Sequence, residues 1–275
     1  MKSILSIILA WSMCTAASSQ VETSYMDLVK AEAQLKSMFD QLYTQEIPGS
    51  QLALYHDIDS LFSNALQLAG SFDHTWSKLD QIGKLISDDE RIKVFSWLYP
   101  VSLDDYRYTA YIQVMNNKEP ELFKLEPVTA DNIHAKDFEQ EIDRWDGKVY
   151  YDLVTTEHKR KVLYTLIGVD FNNTSTSVKT IEVISIQRGK PVFRDEQFLL
   201  GGTVEDRIVL EYAADLAATV RYNEALDMIV YDHLAPLHPL YHGNYQFYGP
   251  DGSYDGLKFT EGIWVLEEDV DARNQ

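Results

Sequence analysis

The period of the apolar positions changes along the chain. From Gln20 to about Thr44, Tyr25, Leu28, Val29, Leu35, Met38, Phe39, Leu42 and Tyr43 recur at the spacing of a helix and share one face. Ile47-Pro48-Gly49-Ser50 breaks the pattern, because Pro and Gly cannot continue a helix cheaply. A second stripe follows with Leu54, Ile58, Leu61, Phe62, Ala65, Leu66 and Ala69, and Gly70 supplies its stop. Two helices with a short break predict an antiparallel hairpin over 20–70.

After about Ser87 the text becomes strand-like. Ser87-Asp88-Asp89-Glu90 reads as a turn, and Arg91–Tyr99 and Tyr106–Met115 read as strands rich in β-branched and aromatic residues. Glu121–Glu126, Lys148–Thr156 and Lys161–Phe171 continue the series, with a polar loop or short helix at Thr129–Asp143. In Lys161–Phe171 both alternating sets are apolar, which predicts a central strand. Lys179–Gln187 and Pro191–Phe193 flank Arg188-Gly189-Lys190, a tight hairpin turn. Arg207–Tyr212, Thr219–Tyr222, Met228–His233, Tyr245–Tyr248, Ser253–Thr260 and Ile263–Glu268 complete the expected strands.

Close turns between short strands argue for antiparallel pairing, since parallel pairs need long crossovers. The expected fold is mainly β with an N-terminal α-helical hairpin, an α+β protein. Its antiparallel meander forms a sandwich, a barrel or a propeller-like body, and the pattern leaves all three open. The expected division is a leader over 1–19, the helical hairpin over 20–70 and the β-rich domain over 71–275.

The leader follows from Lys2, the short apolar stretch Ile4–Met13 and the small residues Ala16-Ala17-Ser18-Ser19, the pattern of a secretory signal cut before Gln20. A lipoprotein signal lipidated at Cys14 is the rival, but Met13 stands where a small residue normally precedes that cysteine. Cys14 is the one cysteine of the chain. Its removal leaves no thiol for disulfides, thiol catalysis or cysteine-ligated zinc. The expectation is an exported protein, periplasmic or extracellular. No later segment is apolar over the roughly 18 residues that a membrane span needs.

Composition sharpens this picture. Hydrophobic residues make up 45% of the chain, enough for a well-buried core. The formal charge of −19 repels phosphate backbones, so no nucleic-acid partner is expected.

Several phrases carry a resemblance. They include Val94-Phe95-Ser96-Trp97, Gly189-Lys190-Pro191-Val192-Phe193, Asp232-His233-Leu234-Ala235-Pro236, Tyr248-Gly249-Pro250-Asp251-Gly252-Ser253-Tyr254-Asp255 and Glu268-Asp269-Val270-Asp271-Ala272-Arg273-Asn274. Together they resemble an uncharacterised family of secreted, β-rich Bacteroidetes proteins, over about Phe72 to Asn274. The resemblance implies export and a β-rich build, and it implies no activity.

Candidate chemistry gathers near the C-terminus. Asp251-Gly252-Ser253-Tyr254-Asp255-Gly256 opens like a calcium loop, with oxygen ligands at alternate positions and Gly at the sixth. Asp251, Ser253, Asp255 and the carbonyl of Leu257 would hold a structural calcium. The twelfth position is Gly262 where a bidentate Glu is wanted, and the competing reading is a plain turn. No other cofactor is expected. His233, His238 and His242 are close enough in sequence to share a metal, but Pro236 and Pro239 rule out a helix that stacks them. Tyr245, Tyr248, Tyr254 and Trp264 belong to an aromatic cluster that could stack on a ligand or fill a core.

Nucleophile elbows, zinc-protease helices and phosphate-binding glycine loops are missing from the sequence. The expected function is an exported, non-enzymatic binding or envelope-associated module for an unidentified glycan or protein. The alternative is a secreted hydrolase of glycans or peptides that works with Asp or Glu side chains.

Overall fold

The structure, a computed structural model, describes residues 24–44, 50–101, 106–117, 119–128 and 139–272. The leader expected over 1–19 and most of the polar segment 129–143 lie outside the described residues. The chain forms two compact units. One holds the residues up to Gln81 together with Asn117–Leu122, and the other holds Ile82–Asn116 and the residues from Phe123 onward.

The first unit is built on helix α1 over 24–44 and helix α2, Ser50–Leu66. The α1 stripe is buried at Leu28, Leu35, Phe39 and Leu42, and the α2 stripe at Ile58, Phe62, Ala65 and Leu66. Gln51 Nε2 donates to the carbonyl of Leu42, and Ser24 Oγ donates to that of Ala69. Each end of α1 therefore meets the opposite end of the second helical segment, which is the antiparallel hairpin expected. The helix ends at Leu66, and Gly70 takes a left-handed φ of 80° in the turn four residues on. The unit extends past residue 70, because Phe72, Trp76 and Leu79 are buried and Trp76 packs edge-on against Phe62 at 5.1 Å.

The second unit is strand. Half of the chain is in strands, and among the described residues the named strands pair antiparallel apart from one parallel pair and no barrel closes. The first sheet runs β1 (Gly83–Ile86), β2 (Ile92–Pro100), β3 (Tyr106–Asn116), β4 (Glu119–Leu125) in chain order, and β4 belongs to this unit from Phe123 onward. The second contains β5 (Val149–His158), β6 (Lys161–Asp170), β7 (Thr176–Gln187), β8 (Lys190–Phe193) and β11 (Ile208–Ala213). Its order is β11-β7-β6-β5, with β8 also on β7. The third contains β9 (Phe198–Leu200), β10 (Thr203–Glu205), β12 (Val220–Asn223), β13 (Met228–Pro236), β14 (Tyr248–Thr260) and β15 (Ile263–Glu267). Its order is β10-β9-β15-β14-β13-β12, and β9 and β15 are the parallel pair.

The second sheet has a core on each face. Tyr164, Leu166 and Ile184 join Ile92, Val94, Ala110, Ile112 and Val114 on one side. Leu163, Ile167, Ile181 and Val183 join Phe198, Ile229, Leu257 and Trp264 on the other. Strand side chains alternate between faces, so a strand covered on both sides must be apolar at every position. That is why β6 lacks the polar alternation of an exposed strand. A bulge between Tyr150 and Asp152 resets the parity of β5. Tyr150 and Leu153 consequently reach the same core.

Three short strands, β1, β9 and β10, carried no legible pattern. One expectation is corrected. Tyr245–Phe247 is a 3-10 turn where a strand was expected, and β14 begins only at Tyr248. The preceding prolines and Gly243 keep this stretch out of the ladder, since Pro removes a backbone donor.

Candidate functional site

Three places gather polar or aromatic side chains. The first is sealed inside the second unit. Lys148 Nζ donates to Asp146 Oδ1 at 2.6 Å and to Glu182 Oε2 at 2.8 Å. Arg207 Nη1 donates to Asp146 Oδ2 at 2.6 Å. Gln140 Nε2 reaches both carboxylates, Tyr150 OH donates to Glu182 Oε1, and Trp145 Nε1 donates to Tyr150 OH. Asp146, Lys148, Glu182 and Arg207 are all buried. Gly168 makes room for this set, since a Cβ there would lie 2.7 Å from Lys148 Cδ.

Burial alone would raise the Asp146 pKa. The Lys148 and Arg207 charges outweigh it and hold the carboxyl below its usual range. Burial, reinforced by the Glu182 charge, pushes the Tyr150 phenol well up. Two cations balance two anions, and every carboxylate oxygen has a donor. The adjoining cavity is about 20 Å³ and is lined by Gln140, Glu182, Arg194, Asp195, Asp206 and Arg207 among others. Such a space holds about one water molecule. These two carboxylates therefore act as a clamp between elements and have no room for a sugar ring or a peptide.

The second place is the tip of the β13–β14 hairpin. Pro236 pairs with Tyr248, and the chain between them makes two 3-10 turns, Pro239–Tyr241 and Tyr245–Phe247. Residues 237–246 are all exposed, with Leu237 at 72% and Leu240 at 86%. The loop is nevertheless well tied. Leu237 N donates to the carbonyl of Phe247, Leu240 N to His238 Nδ1, Asn244 N to the carbonyl of Tyr241, and Gly243 N to Tyr248 OH. Tyr241 stacks on Phe247 at 4.2 Å, and Tyr245 tilts against Tyr248 at 5.0 Å.

Below the loop, His233 Nδ1 lies 2.8 Å from Asp255 Oδ2. A bulge between Asp232 and Leu234 leaves His233 facing outward, 48% exposed at the side chain. The hydrogen bond to Asp255 raises the His233 pKa, against a smaller opposing effect of burial.

The structure separates residues that the sequence had grouped. Tyr245 is exposed and Tyr248 is half-buried in the loop, but Tyr254 packs with Met228, Val230 and Ala272 in a small satellite core. Trp264 is a core residue, 1% exposed, with Nε1 donating to Thr165 Oγ1 at 2.9 Å. Leu237 and Leu240 escaped the sequence reading. The signal was present in Leu234-Ala235-Pro236-Leu237-His238-Pro239-Leu240, where prolines deny the leucines any amphipathic element to hide in.

The calcium-loop residues run inside β14. Asp251 Oδ1 accepts from Ser253 N and Oγ, Asp255 faces His233, and Leu257 pairs in the ladder with Ile229 and Leu266. Gly256, the sixth position, needs no left-handed φ. Its missing side chain accommodates Met228 and Val270, which lie 2.6 and 3.0 Å from where a Cβ would be. An extended strand spreads alternate oxygens along its length, whereas a calcium loop wraps them round the ion. Among the described residues, no group of three or more His, Cys, Asp or Glu side chains converges as a metal site. His238 meets Tyr241 edge-on, away from the His233–Asp255 pair.

The third place is in the helical unit. A cavity of about 690 Å³ is lined by Tyr25, Leu28, Val29 and Glu32 of α1 and by Ala69, Gly70, Asp73, His74, Thr75, Ser77 and Lys78. The α1 residues fall at the spacing of one helix face. At its base Glu32, 3% exposed, accepts from Lys78 N at 2.8 Å and faces His74 Nε2 at 3.1 Å.

No family model, curated protein or solved structure matches this chain. Among the described residues no helix is long and apolar enough to cross a membrane.

Proposed function

We propose that this chain is an exported, non-enzymatic binding module, periplasmic or extracellular, that engages a protein partner through the β13–β14 loop. The leader pattern at Met1–Ser19 and the resemblance to secreted Bacteroidetes proteins support export. The observation that carries the binding role is the exposure of Leu237, Leu240, Tyr241 and Tyr245 on one tied loop.

Exposed apolar side chains on a loop held by its own hydrogen bonds suit an interface, because little conformational freedom is lost on docking. Tyrosine is enriched where interfaces carry most of their energy. A protein is favoured over a glycan for two reasons. Tyr241 already spends one ring face on Phe247, and the leucines offer nothing to a sugar hydroxyl. The acidic chain would favour a partner with basic residues around the contact.

The test is a photo-crosslinking residue placed at Leu240, with Val204, exposed on β10 of the same unit, as the control position. Crosslinking in the producing cell from 240 and not from 204 to one defined protein is the expected result. Identical products from both positions, or none, would overturn the proposal. The hydrolase alternative would replace it if purified protein turned over a glycan or peptide and a single Asp or Glu variant abolished that turnover.

A further inference from the structure

We propose that the cavity of the helical unit is a binding site for a small amphipathic amine, with an apolar body and a cationic head. This does not depend on the partner-binding loop. The cavity's volume, about 690 Å³, falls in the range of small-molecule pockets. Its lining is mixed: Leu28, Val29 and Ala69 contribute apolar surface, and Glu32, Asp73 and His74 contribute polar groups.

The pocket is held open by contacts on both sides. Ser24 Oγ donates to the carbonyl of Ala69 at 2.7 Å, which fixes the start of α1 against the turn after α2. Glu32 receives Lys78 N on one oxygen and faces His74 on the other, which fixes the segment 74–78 to the middle of α1. His74 is held in turn by Trp76, edge-on at 4.7 Å, and by Tyr25 at 6.4 Å.

The charge of the ligand follows from the lining. A carboxylate offers about four lone-pair directions, and each oxygen of Glu32 has one partner here, so acceptor capacity remains at the base. Asp73 adds a second carboxylate, against the single ammonium of Lys78, which is exposed. The chain's charge of −19 biases the whole surface the same way. Tyr25 places an aromatic ring at the cavity, where a cation gains from the ring face. An anionic amphiphile would meet repulsion from both carboxylates.

The probes are n-hexylamine, n-octylamine and n-decylamine, compared with octanoate and octanol, each titrated calorimetrically into the purified full-length chain below its micelle concentration. The amines are expected to bind, with affinity rising by about fourfold per added methylene as apolar surface is buried. Octanoate should bind at least about tenfold more weakly than octylamine, because it faces the carboxylates unpaired. Val29→Trp fills cavity space and should abolish octylamine binding. Asp73→Asn and Glu32→Gln should each weaken it. Where Glu32→Gln fails to fold, as judged by circular dichroism, Val29→Trp and Asp73→Asn decide. Leu240→Ser should leave octylamine binding unchanged, which separates this cavity from the loop. Octanoate binding as tightly as octylamine, octylamine binding that survives Val29→Trp, or no amine binding to the folded chain would each overturn the proposal.

Discussion

Lys148–Asp146 and His233–Asp255 are charge contacts of 2.6 and 2.8 Å, and their surroundings are opposite. The lysine and its aspartate are buried, with Arg207 and Gln140 on Asp146 and with Glu182 as the second partner of Lys148. The histidine stands half in water beside an exposed loop. Distance alone makes them equal, but the dielectric around them does not. A buried charge that loses its partner keeps its full desolvation cost, whereas an exposed one is rehydrated.

The sharpest way to break this comparison is Lys148→Met. It leaves Asp146 with Arg207 alone and Glu182 with no cationic partner among the described residues, and should cost about 3–5 kcal/mol in a urea titration. A cost below about 1 kcal/mol would put the buried contact in the class of a surface pair. Acid sharpens it further. Asp146 has its folded pKa lowered, so its contribution is complete above the ordinary carboxylate range and is lost as pH falls through the folded value. Melting temperature should therefore fall on acidification, and less so in Asp146→Asn, which starts lower.

Gly168→Ala is the next largest effect. Its methyl group would meet the Lys148 stem and the Tyr150 ring, and overpacking of this kind costs about 1–3 kcal/mol, measurable by thermal melt.

His233→Ala should change stability by no more than about 1 kcal/mol. Its sign with pH is fixed by the direction of the shift. The folded pKa is raised, so the contact stabilises below the ordinary histidine pKa of about 6.5 and stops doing so as pH rises through the folded value. The melting-temperature gap between wild type and variant should be present in mild acid and close in mild base. The smallest effect is on the loop. Tyr245→Ala should leave stability within about 0.5 kcal/mol, since Tyr245 is 44% exposed and sits outside every core cluster. The same variant should reduce crosslinking from position 240, which a purely structural role would not move.

The aromatic residues repeat the contrast. Tyr245 and Trp264 looked alike as members of one C-terminal cluster. Trp264 lies on β15 in the core shared with β6 and β13, and its indole N–H is satisfied by Thr165. Tyr245 sits in a 3-10 turn on an exposed tip. Pro236, Pro239 and Gly243 mark a break in the strand before Tyr245, but they do not tell which aromatic rings the fold covers. The calcium-loop pattern is likewise local. Asp251, Ser253 and Asp255 have the composition of a turn, but Asp255 pairs with Tyr231 of β13, and Asp251 and Ser253 lie at the register shift opposite His233.

The sequence by itself determined the two helices, the antiparallel habit and the central position of β6. Each of these is written in a local period, 3.6 residues for the helix stripes and unbroken apolarity for a strand buried on both faces. The helical unit's cavity was half legible, since Tyr25, Leu28 and Val29 lie on the predicted stripe. Its other wall comes from 69–78, which only the return of the chain after α2 brings alongside. The buried clamp was not legible at all. Asp146, Lys148, Glu182 and Arg207 are scattered over the sequence and meet because the second sheet stacks on the first around Tyr150. Which charges are desolvated depends on what covers them, and covering is a property of packed layers that the local sequence does not carry.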